Sequence, residues 1–236
     1  MSEKNFIYLH PTPVRLWHWL NALGIVTLCA TGIQIRFPDV LNIFGSYRAA
    51  IVLHNTAGLV VAISFSLWFF YYTLGARTIS KIYIPVSSDL KRGLLRQAFF
   101  YFFLYFFGCD NPHHPTPDSK FNPLQKSAYL AIMFVLMPLI SLTGILLMNV
   151  SPLRELVLMA GGLKILVGLH FLLACSLGAF LFTHVYLTTL GHTPLAHTKS
   201  MWTGWEEAED HGGEAEAAHH GNPVPESAMA RVKVTP

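Results

Sequence analysis

Charge is scarce in this chain. Only 12% of its 236 residues are Asp, Glu, Lys or Arg, against about 25% in an ordinary soluble domain. A chain of this length could bury a core, but it could not hold its outside in water with so few charges. Cysteine is scarce as well: Cys29, Cys109 and Cys175 lie far apart, two of them inside apolar runs. No C-x-x-C occurs, which excludes a zinc ribbon, a dithiol redox motif and covalent c-type haem attachment, so the thiols read as small apolar packing residues. A secretory signal is not expected, because the first apolar run is too long, starts only after Pro13 and lacks an A-x-A cleavage pattern. No nucleophile, acid–base pair or nucleotide loop stands out. The net charge of +3 does not point to nucleic acid.

What the chain does have is apolar length: 53% of its residues are hydrophobic, gathered in uncharged runs, which is the composition of an integral membrane protein. Four spans are expected, at about 14–35, 49–74, 127–148 and 162–190. The first follows the helix-starting Pro11-Thr12-Pro13. The third carries no charge and contains Pro138, where a kink is expected, and the fourth is long enough to cross with tilt. A fifth apolar run, Leu94 to Phe107, is at about 14 residues short for a span. It follows Lys91, Arg92 and Arg96 and is rich in Phe and Tyr, which predicts an in-plane helix on the membrane surface. From Glu206 onward the chain is acidic, then rich in His, Ala, Gly and Pro, with no apolar period; residues 206–236 are expected to be disordered. The expected fold is therefore all-α: a membrane domain over 1–205, built as a four-transmembrane-helix bundle with an in-plane interfacial helix in the 75–126 loop.

Four spans put both termini on one side. That side, with the 75–126 loop, holds Lys4, Arg15, Arg77, Lys81, Lys91, Arg92, Arg96, Lys120, Lys126, Lys199, Arg231 and Lys233, whereas the other side holds only Arg36, Arg48, Arg154 and Lys164. The positive-inside rule then predicts a multi-pass protein of the bacterial cytoplasmic membrane with both termini cytoplasmic.

Of twelve histidines, His18, His54, His170 and His184 lie inside spans. Ionisable groups at that depth are costly and mark function by default, although a helix-to-helix hydrogen bond would explain any single one. His170 and His184 are 14 residues apart on one helix, so they differ by about 40° in azimuth and about 21 Å in height. Matching depths gives two pairs: His18 with His184 near the cytoplasm, and His54 with His170 near the outside. Two histidines on facing helices can hold an iron porphyrin between them. A zinc site needs four ligands, and a proton relay would use carboxylates, which no span contains. Two bis-histidine b haems fit best; a haem-free anchor or metal transporter is the rival. Gly24, Gly32, Gly58, Gly168 and Gly178 could admit a macrocycle edge or simply serve helix packing. Arg15, three residues before His18 and on the same face, could meet a haem propionate or act as a membrane anchor. His113-His114 and His211, His219 and His220 read as solvated polar residues, and His192 and His197 carry no specific signal.

These residues have a familiar order. Arg15-Leu16-Trp17-His18-Trp19-Leu20-Asn21 resembles the R-x-x-H-W opening of the di-haem cytochrome b subunits of nickel–iron hydrogenases, formate dehydrogenase-N and thiosulfate reductases. His54-Asn55-Thr56-Ala57-Gly58 is similar to their second-helix H-x-x-A-G, and the 14-residue pair on the fourth span resembles the formate dehydrogenase arrangement. The resemblance covers about residues 10–205. Segment 81–126 and Gly191-His192-Thr193-Pro194-Leu195-Ala196-His197 look more like the thiosulfate-reductase-type branch. Lys120-Phe121-Asn122-Pro123-Leu124-Gln125-Lys126 resembles a formate dehydrogenase stretch, departing from it at Pro123-Leu124, whose Asn lies beside the cytoplasmic haem at a menaquinone site. The resemblance thus implies haem b at both histidine pairs and a quinone contact by Asn122, with Gln125 and Lys126 within a turn of it. The plainer reading is that Asn122 caps the third span and Lys126 anchors it.

The function expected is electron transfer between a periplasmic-side partner, an Fe–S dehydrogenase or hydrogenase subunit or a multihaem cytochrome c, and menaquinone or ubiquinone in the membrane lipid. Any further substrate chemistry would belong to the partner. The alternative is a stand-alone membrane cytochrome b oxidising a small membrane-borne donor.

Overall fold

A computed structural model describes residues 6–77, 85, 93–109, 111–113, 121–190 and 193–207. In chain order these form a short strand β1 (Phe6–Tyr8), helix α1 (Thr12–Arg36), helix α2 (Tyr47–Gly75), helix α3 (Leu94–Phe102), helix α4 (Pro123–Met148), the short helix α5 (Arg154–Met159), helix α6 (Leu163–Thr188), helix α7 (Ala196–Thr203) and strand β2 (Trp205–Glu207). Helices α1, α2, α4 and α6 are 25, 29, 26 and 26 residues long. At about 1.5 Å per residue they reach about 38 to 44 Å, enough to cross a hydrocarbon core of about 30 Å. None contains an Asp or Glu.

The polarity of α1 is the reverse of that of a helix in a soluble bundle. The residues that α1 buries are Asn21, Thr31 and Gln34, while Leu16 and Leu23 stand 68% and 69% exposed. Such an arrangement suits lipid outside and hydrogen-bonded polar groups inside. Asn21 donates to Ser64 Oγ at 2.8 Å and to its own helix at Trp17 O. Gln34 bridges the chain after α1, donating to Ser46 O at 3.2 Å and accepting from the Phe44 N–H at 3.0 Å.

The ends of the helices are set by local chemistry. Ser46, extended at φ −156°, caps α2 by accepting from the Ala49 N–H. Asn122 and Gln125 form a reciprocal box at the start of α4: Gln125 N donates to Asn122 Oδ1 at 2.8 Å, and Asn122 N donates to Gln125 Oε1 at 2.9 Å. With Pro123 in the first turn, α4 begins four residues before the apolar window that opens at Ser127. Inside α4 the helix widens to a π turn over Ile132–Leu136, directly before Pro138. Proline has no N–H and its ring crowds the carbonyl one turn back, so the expected kink takes the form of a local widening.

The chain divides into two compact units. The larger, residues 16–185, has a core of Val61, Phe65 and Trp68 from α2, Met133 and Met137 from α4 and Leu177 from α6, with Trp17, Ile25 and Leu28 of α1 packed on it. In the same unit α3 is nine residues long, too short to cross, and packs against the start of α4. The smaller unit holds, of the described residues, 6–15, 186–190 and 193–207. Here β1 pairs antiparallel with β2, Tyr8 opposite Trp205 and Phe6 opposite Glu207. Gly204 (φ +90°) makes the turn into β2, where a Cβ would lie 2.8 Å from His10 O. The strand runs to Glu207, one residue past the expected start of the tail at Glu206; 208–236 lie outside the described residues.

Candidate functional site

Helix α1 carries His18, α2 carries His54, and α6 carries both His170 and His184. All four are half-buried. The structure brings them together as two pairs. The rings of His18 and His184 have centroids 6.2 Å apart, and those of His54 and His170 6.4 Å apart. The rise along α6 separates the pairs by about 21 Å. Leu177, seven residues from each α6 histidine, sits in the apolar core between them, and Trp17, Trp68 and Phe65 form a run of stacked rings in the same core.

The two pairs have different surroundings. His54 Nδ1 lies 2.8 Å from the Thr31 hydroxyl on α1, and His170 Nδ1 lies 2.8 Å from the Thr143 hydroxyl on α4. Both threonines are buried. The next residues are Gly32 and Gly144, where a Cβ would stand 3.5 Å from His54 Cε1 and 3.4 Å from His170 Cε1. At the other pair, His18 Nδ1 is buried with no hydrogen-bond partner. Phe180 stacks on His184 at 5.7 Å, and Trp19 meets the His18 ring edge-on at 5.2 Å.

Two facing imidazoles are a ligand set for an ion already held in a plane by another chelator. Among the described residues no three His, Cys, Asp or Glu side chains cluster as a metal site would require. A histidine nitrogen binds metal at about 2 Å, and its ring centre lies about 1 Å further back. Two axial imidazoles therefore stand roughly 6 Å apart, the separation found at both pairs. The residues present fit a bis-histidine haem.

Of the other residues singled out by sequence, Arg15 donates through Nη1 to the Trp202 carbonyl and through Nη2 to Thr12 Oγ1, while its Nε is buried without a hydrogen-bond partner. Asn122 and Gln125 serve the α4 cap, with Asn122 3% exposed and its Nδ2 3.4 Å from the Tyr101 hydroxyl. That hydroxyl also bonds the side chains of Gln97 and Asn111, and burial pushes the phenol above its usual range against those bonds. Lys126 follows in the same first turn, and Lys120 lies outside the described residues. Gly24 lets α1 and α2 approach closely, since a Cβ there would fall 2.4 Å from Val61 Cγ2; Gly58 faces Leu28, and Gly168 and Gly178 have no atoms within 4 Å of an added Cβ. His197 pairs with Glu206 at 3.5 Å; His114, His192, His211, His219 and His220 lie outside the described residues.

Sequence reasoning missed Thr31, Thr143 and Gly144. Their signal was a Thr-Gly dipeptide in each of the two spans that offer no histidine at that depth.

Residues 9–204 match the family described as prokaryotic cytochrome b561. The chain is similar to "Putative cytochrome YdhU" of Escherichia coli (strain K12), 33% identical over 201 residues that make up 84% of this chain and 74% of that protein. It is 28% identical over 163 residues to the "Probable Ni/Fe-hydrogenase B-type cytochrome subunit" of Rhizobium leguminosarum bv. viciae, spanning 65% of this chain and 64% of the relative's length. A shorter likeness, 29% over 75 residues, joins it to the "Formate dehydrogenase, cytochrome b556(fdo) subunit" of Escherichia coli (strain K12), covering 30% of this chain and 36% of that protein. One family thus accounts for nearly all the described residues: the chain is an integral membrane protein belonging to the prokaryotic cytochrome b561 family, whose b-type cytochrome character implies haem b and electron transfer.

Proposed function

We propose that the chain is a di-haem electron-transfer subunit of the bacterial cytoplasmic membrane, passing electrons between a redox partner on the periplasmic side and the quinone pool. The observation that carries this reading is the pair of facing histidine sets, 6.2 and 6.4 Å between ring centroids, at two heights on α6. In it, His18 and His184 hold one haem b, and His54 and His170 the other. Haem bound there supplies a one-electron Fe(III)/Fe(II) couple.

The chain's own residues do the rest. The histidines fix the two centres at different depths, and the packed core around Leu177, Phe65 and Trp68 keeps water out of the space between them. Arg15, on the helix that carries His18, has a buried Nε–H left over that suits a propionate. The excess of Lys and Arg on the termini and the 75–126 loop orients both termini to the cytoplasm. Relatives named as subunits of a nickel–iron hydrogenase and a formate dehydrogenase support a redox-enzyme subunit as partner; in this reading it is an Fe–S dehydrogenase or hydrogenase subunit, or a multihaem cytochrome c, either of which exchanges single electrons with haem.

Quinone meets the chain at the start of α4, on the side of His18 and His184. A quinone carbonyl needs a hydrogen-bond donor, and the cap consumes the side-chain oxygens of Asn122 and Gln125 but not their amide N–H groups. Gln125 is exposed, Asn122 backs it, and Lys126 adds a positive charge one position on. The aromatic helix α3, packed on α4, offers an apolar wall, and the aqueous cytoplasm supplies protons.

The test is a haem count on the purified full chain with its reduced-minus-oxidised visible spectrum. Two haem b per chain, low-spin in both states, is the expected result. One haem, or none, overturns the di-haem reading.

A further inference from the structure

The two nitrogens of a metal-binding imidazole have separate roles, since one gives its lone pair to the iron and the other carries the proton. Which is which depends on the partner of the second nitrogen. At the His54–His170 pair those partners are the hydroxyls of Thr31 and Thr143, and a hydroxyl has a single proton to give. Thr31 Oγ1 lies 2.7 Å from the Thr27 carbonyl, and Thr143 Oγ1 lies 2.9 Å from the Leu139 carbonyl. Two oxygens that close repel unless a proton lies between them. The hydroxyl protons are therefore directed to the backbone, and each threonine oxygen faces its histidine as an acceptor. His54 and His170 must then carry hydrogen on Nδ1, which leaves Nε2 bare.

The geometry points to Thr31-Gly32 and Thr143-Gly144 as paired clamps that hold His54 and His170 in the iron-binding tautomer and make both ligands more basic. The glycine of each clamp leaves the ring edge at Cε1 facing an open backbone, within ordinary contact distance of any added Cβ. The other pair is not matched in this way, because His18 Nδ1 is buried without a hydrogen-bond partner. The two haem sites are thereby made unequal by the protein, since a hydrogen-bonded, more basic imidazole favours ferric iron. Of the two centres, the one held by His54 and His170 is given the lower potential by this effect. This inference rests on the di-haem reading above, and names the positioning residues of one of its sites.

The experiment compares Thr31→Val and Thr143→Val, which keep the shape and delete the hydroxyl, with Thr31→Ser and Thr143→Ser, which keep the hydroxyl. Each full-length variant is purified, its haem content counted, and its potentials measured by optical redox titration, with His54→Ala marking which component belongs to this pair. In the valine variants the equilibrium constant for reducing that haem should rise about tenfold, about 59 mV for a one-electron couple, while the other haem keeps its potential. The serine variants should titrate as wild type. Selective loss of that one haem in the valine variants, reversed by serine, supports the clamps equally. Valine and serine variants that behave alike, or a shift confined to the His18–His184 haem, overturn them. A wild-type chain without two haems would instead overturn the reading beneath, and the haem count reports that separately.

Discussion

Asn122 stands under two demands that one substitution set can separate. Its Oδ1 closes the α4 cap on the Gln125 N–H, and its Nδ2 points away towards the Tyr101 hydroxyl. Asn122→Ala removes both and should cost about 1 kcal/mol of stability, the usual worth of an N-cap. Asn122→Asp keeps the cap, with a carboxylate well placed at a helix N-terminus, but loses the amide donor. Thermal unfolding in detergent should therefore rank wild type and Asn122→Asp together, above Asn122→Ala. If Asn122 also serves quinone, both variants reduce haem more slowly with a quinol analogue while retaining their haem; wild-type quinol kinetics in Asn122→Asp would leave Asn122 a cap alone. The histidines were legible in sequence because an imidazole within an apolar run is expensive and therefore conspicuous. Thr31 and Thr143 were not, because a threonine in a membrane helix ordinarily satisfies itself on the carbonyl one turn back, as both do here. Only the fold shows that the same oxygens also meet imidazoles.

Among the elements, the four long helices could be read from apolar length, but their ends and their closest approach could not. Helix α4 starts at Pro123 because a capping box overrides the charge on Lys126, and α5, α7 and the β1–β2 pair are too short to leave a periodic signal. The approach of α1 to α2 depends on Gly24, where an added Cβ would fall 2.4 Å from Val61 Cγ2. Valine is β-branched and stiff at χ1, so it cannot swing aside freely. Gly24→Ala should then wedge α1, which carries His18, from α2, which carries His54, at about 1–3 kcal/mol for overpacking, with lower haem occupancy. Adding Val61→Ala makes room for the new methyl. Haem occupancy and unfolding temperature should recover in the double variant; an additive further loss would show that the two residues do not share this contact.

On the scale of the whole molecule, polarity decides placement. Apolar residues such as Phe182, 78% exposed, cover the spans, while Asn21, Thr31, Ser64 and Thr143 are buried within them, and the described chain fits a bilayer rather than water. The proposed orientation, with both termini cytoplasmic, rests on the Lys and Arg asymmetry: a reporter fused after Pro236 that is active only in the cytoplasm should be active, and one that requires export should be silent. The reverse would invert the proposed electron route. The proposed function stands on four histidines making two sites, in the pairing His18–His184 and His54–His170. It is tested most directly by the spectra and haem content of the four single alanine variants, each measured against the wild-type potentials. His54→Ala and His170→Ala should lose the same spectral component, and His18→Ala and His184→Ala should lose the other. Loss of one common component from His54→Ala and His184→Ala would contradict it.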